Sequence, residues 1–294
     1  MDPDPSVPAA PFLKWAGGKR KLLPQLKPLF PADYKERLYC EPFLGGGSVF
    51  FSIAKDLRGA VLSDANASLI RTYQVVQTLP PQFLACLKGL SVQTTEEEFY
   101  RNRDRFNKLR PGPSIASISH AALFIYLNKT CFNGLWRVNR GGQFNVPWGH
   151  YKAPLIDDGM YQARRDALGG ASLRKRDFRE VFVDATPAPS PFPRPFIYLD
   201  PPYDPISETS NFTGYTADKF TWDDQLALYK KILEWDKMGC KIMLSQADTP
   251  RVRELFDDPK GPDFFITELD VTRSIAAKAN ARTVVTELVI RNYA

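Results

Sequence analysis

The fold of this chain is restricted most by an alternation of strand and helix that begins at Arg37, stops near Thr78 and resumes at Ser172. Arg37-Leu38-Tyr39-Cys40-Glu41 is a short apolar run predicted as a buried strand. It leads directly into Pro42-Phe43-Leu44-Gly45-Gly46-Gly47-Ser48 and an apolar helix from Val49 to about Lys55. A second strand, Ala60 to Ser63, ends at Asp64, and a helix capped by Asp64 or Asn66 follows to Gln77. This order describes half of a doubly wound sheet. Between Thr78 and Gly170 the pattern is helical or irregular, with one amphipathic helix around His120 to Leu127 and a Gly- and Asn-rich stretch from Asn133 to Gly149. Strands return at Ser172 to Asp177, Phe196 to Asp200, Lys241 to Ser245, Phe264 to Leu269 and Thr283 to Ile290, the last two suited to an antiparallel hairpin at a sheet edge. A structureless loop spanning the gap would be far longer than the connections found in compact domains. The expected fold is therefore an α/β doubly wound sheet built from 12–77 and 171–294, interrupted by an inserted, mainly helical domain at 78–170 and preceded by a loose tail at 1–11. The Pro-rich stretch from Ala185 to Pro195 reads as a stiff connection.

Charge is distributed unevenly over that plan. The 294 residues carry a net charge of +6. Lys14 to Arg37 holds seven basic and two acidic residues, and Phe99 to Arg176 holds fourteen basic and four acidic, so two segments carry +5 and +10 and the remainder is acidic. Such segregation suits a basic face meeting a polyanion, with a merely solvated face as the plainer explanation. Aromatic and amide residues lie inside the basic middle segment, among them Phe132, Asn133, Trp136, Asn139 and Asn145, and groups of that kind read or wedge into base stacks. No apolar run reaches the length of a bilayer span, and the acidic, Pro-rich start is not a secretory signal. Cys40, Cys86, Cys131 and Cys240 are widely spaced and only His120 and His150 accompany them, so reduced thiols are expected rather than a disulfide framework or a metal site. A cytoplasmic protein is the consequent expectation.

Two turns carry chemistry. The glycine turn lets backbone approach a ligand at the carboxyl end of the first strand, where open α/β sheets bind theirs. It lacks both GxGxxG spacing and the Lys-Ser/Thr of a P-loop, which disfavours a pyrophosphate cradle. Asp64, ending the next strand, is placed to hydrogen-bond the two ribose hydroxyls of a nucleoside, or simply to cap a helix. Asp200-Pro201-Pro202-Tyr203 is the sharper signal. A carboxylate at the end of an apolar strand, two prolines that stiffen the turn, and an aromatic face together make a rigid pocket for a planar amine.

These motifs, in this order, resemble the DNA adenine methylase (Dam) family of N6-adenine methyltransferases, in which the target-recognition domain lies between the cofactor half and the catalytic half. The resemblance runs from Phe12 nearly to the end: Phe12-Leu13-Lys14-Trp15-Ala16-Gly17-Gly18-Lys19, the glycine turn, Leu62-Ser63-Asp64-Ala65-Asn66, Phe132-Asn133-Gly134-Leu135-Trp136-Arg137-Val138-Asn139, Gly142-Gln143-Phe144-Asn145-Val146-Pro147, Asp200-Pro201-Pro202-Tyr203 and Asn211-Phe212-Thr213. It implies a Rossmann-like S-adenosylmethionine-dependent fold and a site-specific, adenine-specific DNA methyltransferase acting on double-stranded DNA at GATC. Trp15, Ala16, Gly17, Lys19, Glu41, Phe43, Gly45, Gly47, Ser48 and Asp64 would hold S-adenosylmethionine, Asp177 and Phe178 its adenine, and Asp200 would border it. Asp177 can equally be a helix cap. Asp200 and the Pro201 carbonyl would accept the two N6 hydrogen bonds of an adenine flipped from the duplex, within a turn completed by Pro202, and Tyr203 would stack on the base. Transfer needs no metal and no covalent intermediate.

In the insert, Arg137 would pair with guanine in the major groove, Leu135 and Pro147 would touch thymine methyls, Phe132 would wedge beside the extruded base, and Lys14 would reach the outer base pair. Asn133 and Asn139 join them as DNA contacts. A plain phosphate contact is the alternative for Arg137, and a core position for Phe132 and Leu135. Three departures from the family pattern stand out: Trp136 in place of a smaller residue, Trp148 in place of Phe, and a segment from Arg273 to Arg282 without the glycines common there. The first two are expected to alter base contacts. A monomer of bacterial or phage origin is implied, nucleoid-associated and with room for a cognate restriction enzyme. Cytosine N4, an RNA adenine or a glutamine side chain are alternative acceptors, although Asp rather than Ser at position 200 favours adenine and a glutamine methylase does not need so basic an insert. The absence of a Pro-Cys pair excludes C5-cytosine chemistry. A non-catalytic DNA-binding protein would be expected to show a damaged tetrapeptide or glycine turn, and both are intact.

Overall fold

The computed structural model describes residues 9–91, 94–109, 115–151, 156–181, 193–203, 220–257, 261–272 and 284–294. The first eight residues of the expected tail, most of the Pro-rich connection, Asn211-Phe212-Thr213 and the segment from Arg273 to Arg282 lie outside the described residues.

One sheet organises the protein. Its strands are β1 (Tyr39–Glu41), β2 (Ala60–Asp64), β3 (Ala171–Lys175), β4 (Phe196–Leu199), β5 (Lys241–Ala247), β6 (Phe265–Thr272) and β7 (Val284–Arg291). Their order across the sheet is β3-β2-β1-β4-β5-β7-β6. The first five are parallel, while β7 runs antiparallel to both β5 and β6, so the hairpin expected at the chain's end is present with β6 outermost. Every residue of β4 is buried, because helices cover both faces of the sheet. Phe196 and Tyr198 enter the core shared with helices that lie between β2 and β3 in the chain, whereas Ile197 and Leu199 face the opposite core under α8 (Trp222–Lys237).

The strand order reverses between β1 and β4, where Tyr39 is registered with Phe196. Parallel strands place their carboxyl ends on one edge, so the glycine turn after β1 and the tetrapeptide after β4 are neighbours across that reversal. This is where an open α/β sheet leaves a crevice. The remaining helices are α1 (Leu23–Leu26), α2 (Ser48–Ile53), α3 (Ala67–Thr78), α4 (Pro81–Leu90), α5 (Glu96–Lys108), α6 (Ile115–Thr130), α7 (Asp158–Leu168) and α9 (Pro250–Phe256). Asn66 is the cap of α3, its side chain accepting from Leu69 N at 3.0 Å, which leaves the Asp64 carboxylate for other partners.

Helix α6 differs from its sequence expectation. An amphipathic helix has a solvent face, yet every residue from Ala121 to Leu127 is at most 1% exposed. The reason is tertiary: α3, α4 and α5 all pack against it, so it is a central strut that is apolar all round. The same apolar core runs without a break from Tyr39 and Phe51 through Tyr73 to Phe99, Phe124 and Trp136.

Candidate active site

The acidic end of β4 is the centre of a buried charge cluster. Lys19, only 3% exposed, extends its Nζ to within 2.6 Å of Asp200 Oδ1 and 3.9 Å of Glu287 Oε2, and donates to the Gly17 carbonyl at 2.8 Å. The same ammonium lies 4.8 Å over the Tyr203 ring, covering one of its faces. The Tyr203 hydroxyl donates to Glu287 Oε2 at 2.9 Å. Burial raises the pKa of Asp200 above the ordinary aspartate value, the Lys19 ammonium opposes that rise, Glu287 adds to it and the Tyr203 hydroxyl works against it; the net direction is upward. Behind the turn, Gln225 on α8 donates to the Pro202 carbonyl at 2.9 Å and is itself held by Gln246 on β5 at 3.1 Å. The tetrapeptide is thus pinned from two sides.

The glycine turn is shaped by Trp15. A Cβ on Gly45 would lie 2.8 Å from the indole, and one on Gly46 would lie 3.0 Å from the Trp15 Cβ, so the turn passes beneath this ring only as bare backbone. Gly45 and Gly47 have φ of +48° and +67°, a conformation that favours glycine. Asp64 closes the turn from β2: its Oδ2 accepts from Gly45 N at 3.0 Å and its Oδ1 from Asn66 N at 2.9 Å. Burial pushes the Asp64 carboxyl up to about 6, against the pull of those two amides. Ser48 begins α2 beside Gly18. Phe43, Phe178 and Phe220 form an aromatic wall with ring centroids 5.4 to 5.9 Å apart. Asp177 caps the short turn that carries Phe178, accepting from Arg179 N at 2.9 Å and pairing with the Arg179 guanidinium. Bare backbone, a two-oxygen acceptor and an aromatic wall, next to buried carboxylates, suit a nucleoside bearing a positive charge.

Glu41 is placed differently from its neighbours. Its carboxylate is buried beneath the turn and accepts from the Tyr39 hydroxyl at 2.8 Å. Burial pushes its pKa up to about 8 from 4.5, with the Tyr39 hydroxyl pulling it down and Asp200 pushing it further up. The folded state therefore binds an extra proton between about pH 4.5 and pH 8, and stability falls as pH rises through that window. Glu41→Gln is expected to raise the melting temperature at pH 8 and to flatten the decline between pH 5 and pH 8, a difference of a few kcal/mol. Thermal unfolding at the two pH values checks it, and parallel declines in both proteins would contradict it.

The expected DNA contacts cluster on a hairpin. Bridges between Cys131 and Trp148 and between Val138 and Phe144 close it. Phe132, 50% exposed, Asn133, Arg137, Asn139 and Pro147 point outward, and Leu135 is half-buried. A core role for Phe132 is thereby excluded. Arg137 is braced by Asn145, donating from Nε to its Oδ1 at 2.8 Å. The Asn139 side chain shapes the tip, accepting from Gly141 N and Gln143 N at 3.0 Å each. Trp136 turns inward at 5% exposure, its ring 4.1 Å from Phe124 and 4.7 Å from Phe144. The expectation that it alters base contacts gives way to a packing role, because its ring is enclosed by those of Phe106, Phe124 and Phe144. Trp148 is half-buried against His150, 4.4 Å between rings.

Sequence reading missed Glu287, Gln225 and Gln246. Nothing local marks Glu287, which lies in the apolar run Thr286-Glu287-Leu288-Val289-Ile290; a charge in a predicted core strand was the one available clue. Among the described residues no group of His, Cys, Asp and Glu could hold a metal ion, and no helix is long and apolar enough to cross a membrane. The four cysteines are free thiols.

The sheet reverses between a glycine turn and an Asp-Pro-Pro-Tyr turn, as in open α/β enzymes that bind their ligands at such a crevice, and sequence comparison gives the family. The family model of the D12 class N6 adenine-specific DNA methyltransferases matches residues 15–275. Similar proteins include a Type II methyltransferase, M1.LlaDCHI of Lactococcus lactis subsp. cremoris, 35% identical across 96% of this chain and 95% of the relative, and M.MjaIII of Methanocaldococcus jannaschii, 36% identical across 96% and 99%. The DNA adenine methylase of Escherichia coli K12 is 33% identical across 94% and 93%. This chain belongs to the D12 class of N6 adenine-specific DNA methyltransferases. Its reaction is the methylation of adenine N6 in DNA.

Proposed function

We propose that this enzyme moves the methyl group of S-adenosylmethionine to N6 of an adenine flipped out of duplex DNA, at GATC. The observation that carries the reading is the meeting of the Asp64-braced glycine turn and the Lys19-paired Asp200 at the reversal point of the sheet. Bound there, S-adenosylmethionine supplies an electrophilic methyl group on a sulfonium. Trp15, the glycine turn, Asp64 and the Phe43–Phe178 wall are the residues that would hold it, with Ala16, Gly17 and Ser48 forming the rim.

Asp200 does the orienting. Lys19 engages Oδ1, and the second oxygen accepts one N6 hydrogen while the Pro201 carbonyl accepts the other. By holding the two N6 hydrogens, both acceptors would draw the nitrogen lone pair out of conjugation with the ring and toward the methyl group. Methylation would leave positive charge on N6; the Asp200 carboxylate, hydrogen-bonded there, would stabilise that charge and accept the proton that N6 must release, passing it on to solvent. Tyr203, fixed by Glu287, stacks on the flipped base with the face that Lys19 leaves open. Positioning rather than covalent chemistry supplies the acceleration.

Recognition falls to the hairpin and Lys14. Arg137, braced by Asn145, is suited to bidentate contact with guanine, Leu135 and Pro147 to thymine methyls, and Phe132 to the space beside the extruded base. Arg137→Ala is expected to cost about 1 to 3 kcal/mol of discrimination at one position of the site. Methylation kinetics on duplexes varied at that position measure it; an equal loss on every sequence would make Arg137 a phosphate contact. The enzyme acts as a cytoplasmic monomer on this reading, alone or beside a restriction enzyme.

Single-molecule sequencing of DNA from a methylation-free host expressing the chain tests base and site together. N6-methyladenine confined to GATC is expected. The same mark at another motif would overturn the site while keeping the chemistry, and a folded, cofactor-bound protein that leaves no mark on DNA would overturn the substrate.

A further inference from the structure

Two asparagines hold the reading hairpin in the same way, at different points. Asn128, wholly buried near the end of α6, accepts from Lys14 N at 2.8 Å and donates to Lys14 O at 2.7 Å and to Gly134 O at 3.3 Å. It therefore satisfies both backbone groups of Lys14 as a neighbouring strand would, and ties them to the hairpin's first turn. Asn107, at the end of α5, repeats the arrangement: it accepts from Phe144 N at 2.9 Å and donates to Phe144 O at 3.1 Å. We infer that Asn128 and Asn107 are positioning residues for base recognition, Asn128 setting the distance of Lys14 from the hairpin and Asn107 setting the strand that braces Arg137.

Packing alone does not require these amides. The seven residues before Asn128 are apolar and at most 1% exposed, so a leucine would continue that surface at no desolvation cost. An amide in that setting is retained only with its hydrogen bonds made, and here the side-chain bonds converge on two backbone segments distant from each other in the chain. Gly134 shows how close the approach is: its φ is +63°, and a Cβ there would lie 2.5 Å from the Lys14 side chain. Lys14 is held further along its length, with Nζ 4.4 Å from the centre of the Tyr151 ring, while the Tyr151 hydroxyl donates to Asn133. Lys14 and the turn bearing Phe132 and Asn133 are thus one rigid unit whose register Asn128 sets. Asn107 acts one position before Asn145, the residue that orients the Arg137 guanidinium.

The inference rests on the proposed reading in which Lys14 and Arg137 touch bases, and its test separates the two. Initial methylation rates are compared on a cognate duplex and on duplexes changed singly at each base pair, for the wild type, Asn128→Leu, Asn128→Asp, Asn107→Leu and Lys14→Ala, with thermal unfolding of each. Asn128→Asp keeps the acceptor for Lys14 N and loses the amide donations, and Asn107→Leu, at a half-buried position, keeps the test open where the Asn128 variants do not fold. The expected result is position-resolved: the Asn128 variants lose about tenfold or more of the discrimination at the pair that Lys14→Ala also relaxes, and Asn107→Leu does so at the pair read by Arg137. A uniform loss at every position, or ratios equal to wild type in folded variants, would overturn the positioning role alone. Wild-type discrimination in Lys14→Ala would overturn the reading of Lys14, and the role of Asn128 with it.

Discussion

Asp200→Ala is expected to reduce methyl transfer by about 1,000-fold or more while the protein stays folded and binds S-adenosylmethionine. On the proposed reading the carboxylate orients the reacting amine, and no neighbour replaces it: Glu287 is committed to the Tyr203 hydroxyl and Glu41 to that of Tyr39. Folding survives for an electrostatic reason. Deleting one member of a buried ion pair strands the other, but Lys19 keeps Glu287 at 3.9 Å and the Gly17 carbonyl at 2.8 Å. Burial also raises the pKa of Asp200, so its ionised form is a source of strain that the substitution removes. Single-turnover transfer of a radiolabelled methyl group, alongside calorimetric titration with the cofactor, measures the two properties separately. Turnover near the wild-type rate would remove Asp200 from the reaction.

Lys19→Met should have the opposite balance, with stability suffering as much as activity. It leaves Asp200 and Glu287 facing each other in a buried site without their shared cation. The expected cost is about 3 to 5 kcal/mol at alkaline pH. The sign follows from linkage: burial already places the Asp200 pKa above its unfolded value, and loss of the ammonium raises it further. A carboxyl raised on folding favours the folded state at low pH, and that contribution disappears as pH rises through the folded pKa. The variant should therefore lose melting temperature progressively as pH rises above the ordinary aspartate range, while the acidic limb of its rate profile moves to higher pH, since on the proposed reading Asp200 accepts the amine only when ionised. Melting curves and rates across pH for both proteins decide it. Curves that stay parallel to wild type would show that Lys19 does not govern the ionisation of Asp200.

Local pattern and through-space contact divided the information in this chain. Strands β1, β2, β4 and β5 were legible because each is a short apolar run ended by turn residues, and a strand buried on both faces has no other pattern to follow. Helix α6 was legible as a helix but not as a central one: three helices cover it, and a sequence window does not contain them. Trp136 suggested an altered base contact because a smaller residue is common there in the family, yet the folded hairpin turns it into the core against Phe124.

The candidate site divides along the same line. By itself, the sequence determined the family, the glycine turn that only small residues permit, and the Asp-Pro-Pro-Tyr turn, since each depends on neighbours within a few positions. Only the tertiary structure decided that Lys19 pairs with Asp200, 181 positions away, and that Tyr203 donates to Glu287, 84 positions away. It alone gave Asn128 its partner at Lys14, 114 positions earlier. The physical reason is that burial and charge pairing are properties of the folded environment: a lysine, a glutamate or an asparagine carries no mark in sequence of which distant group will share its water-free surroundings.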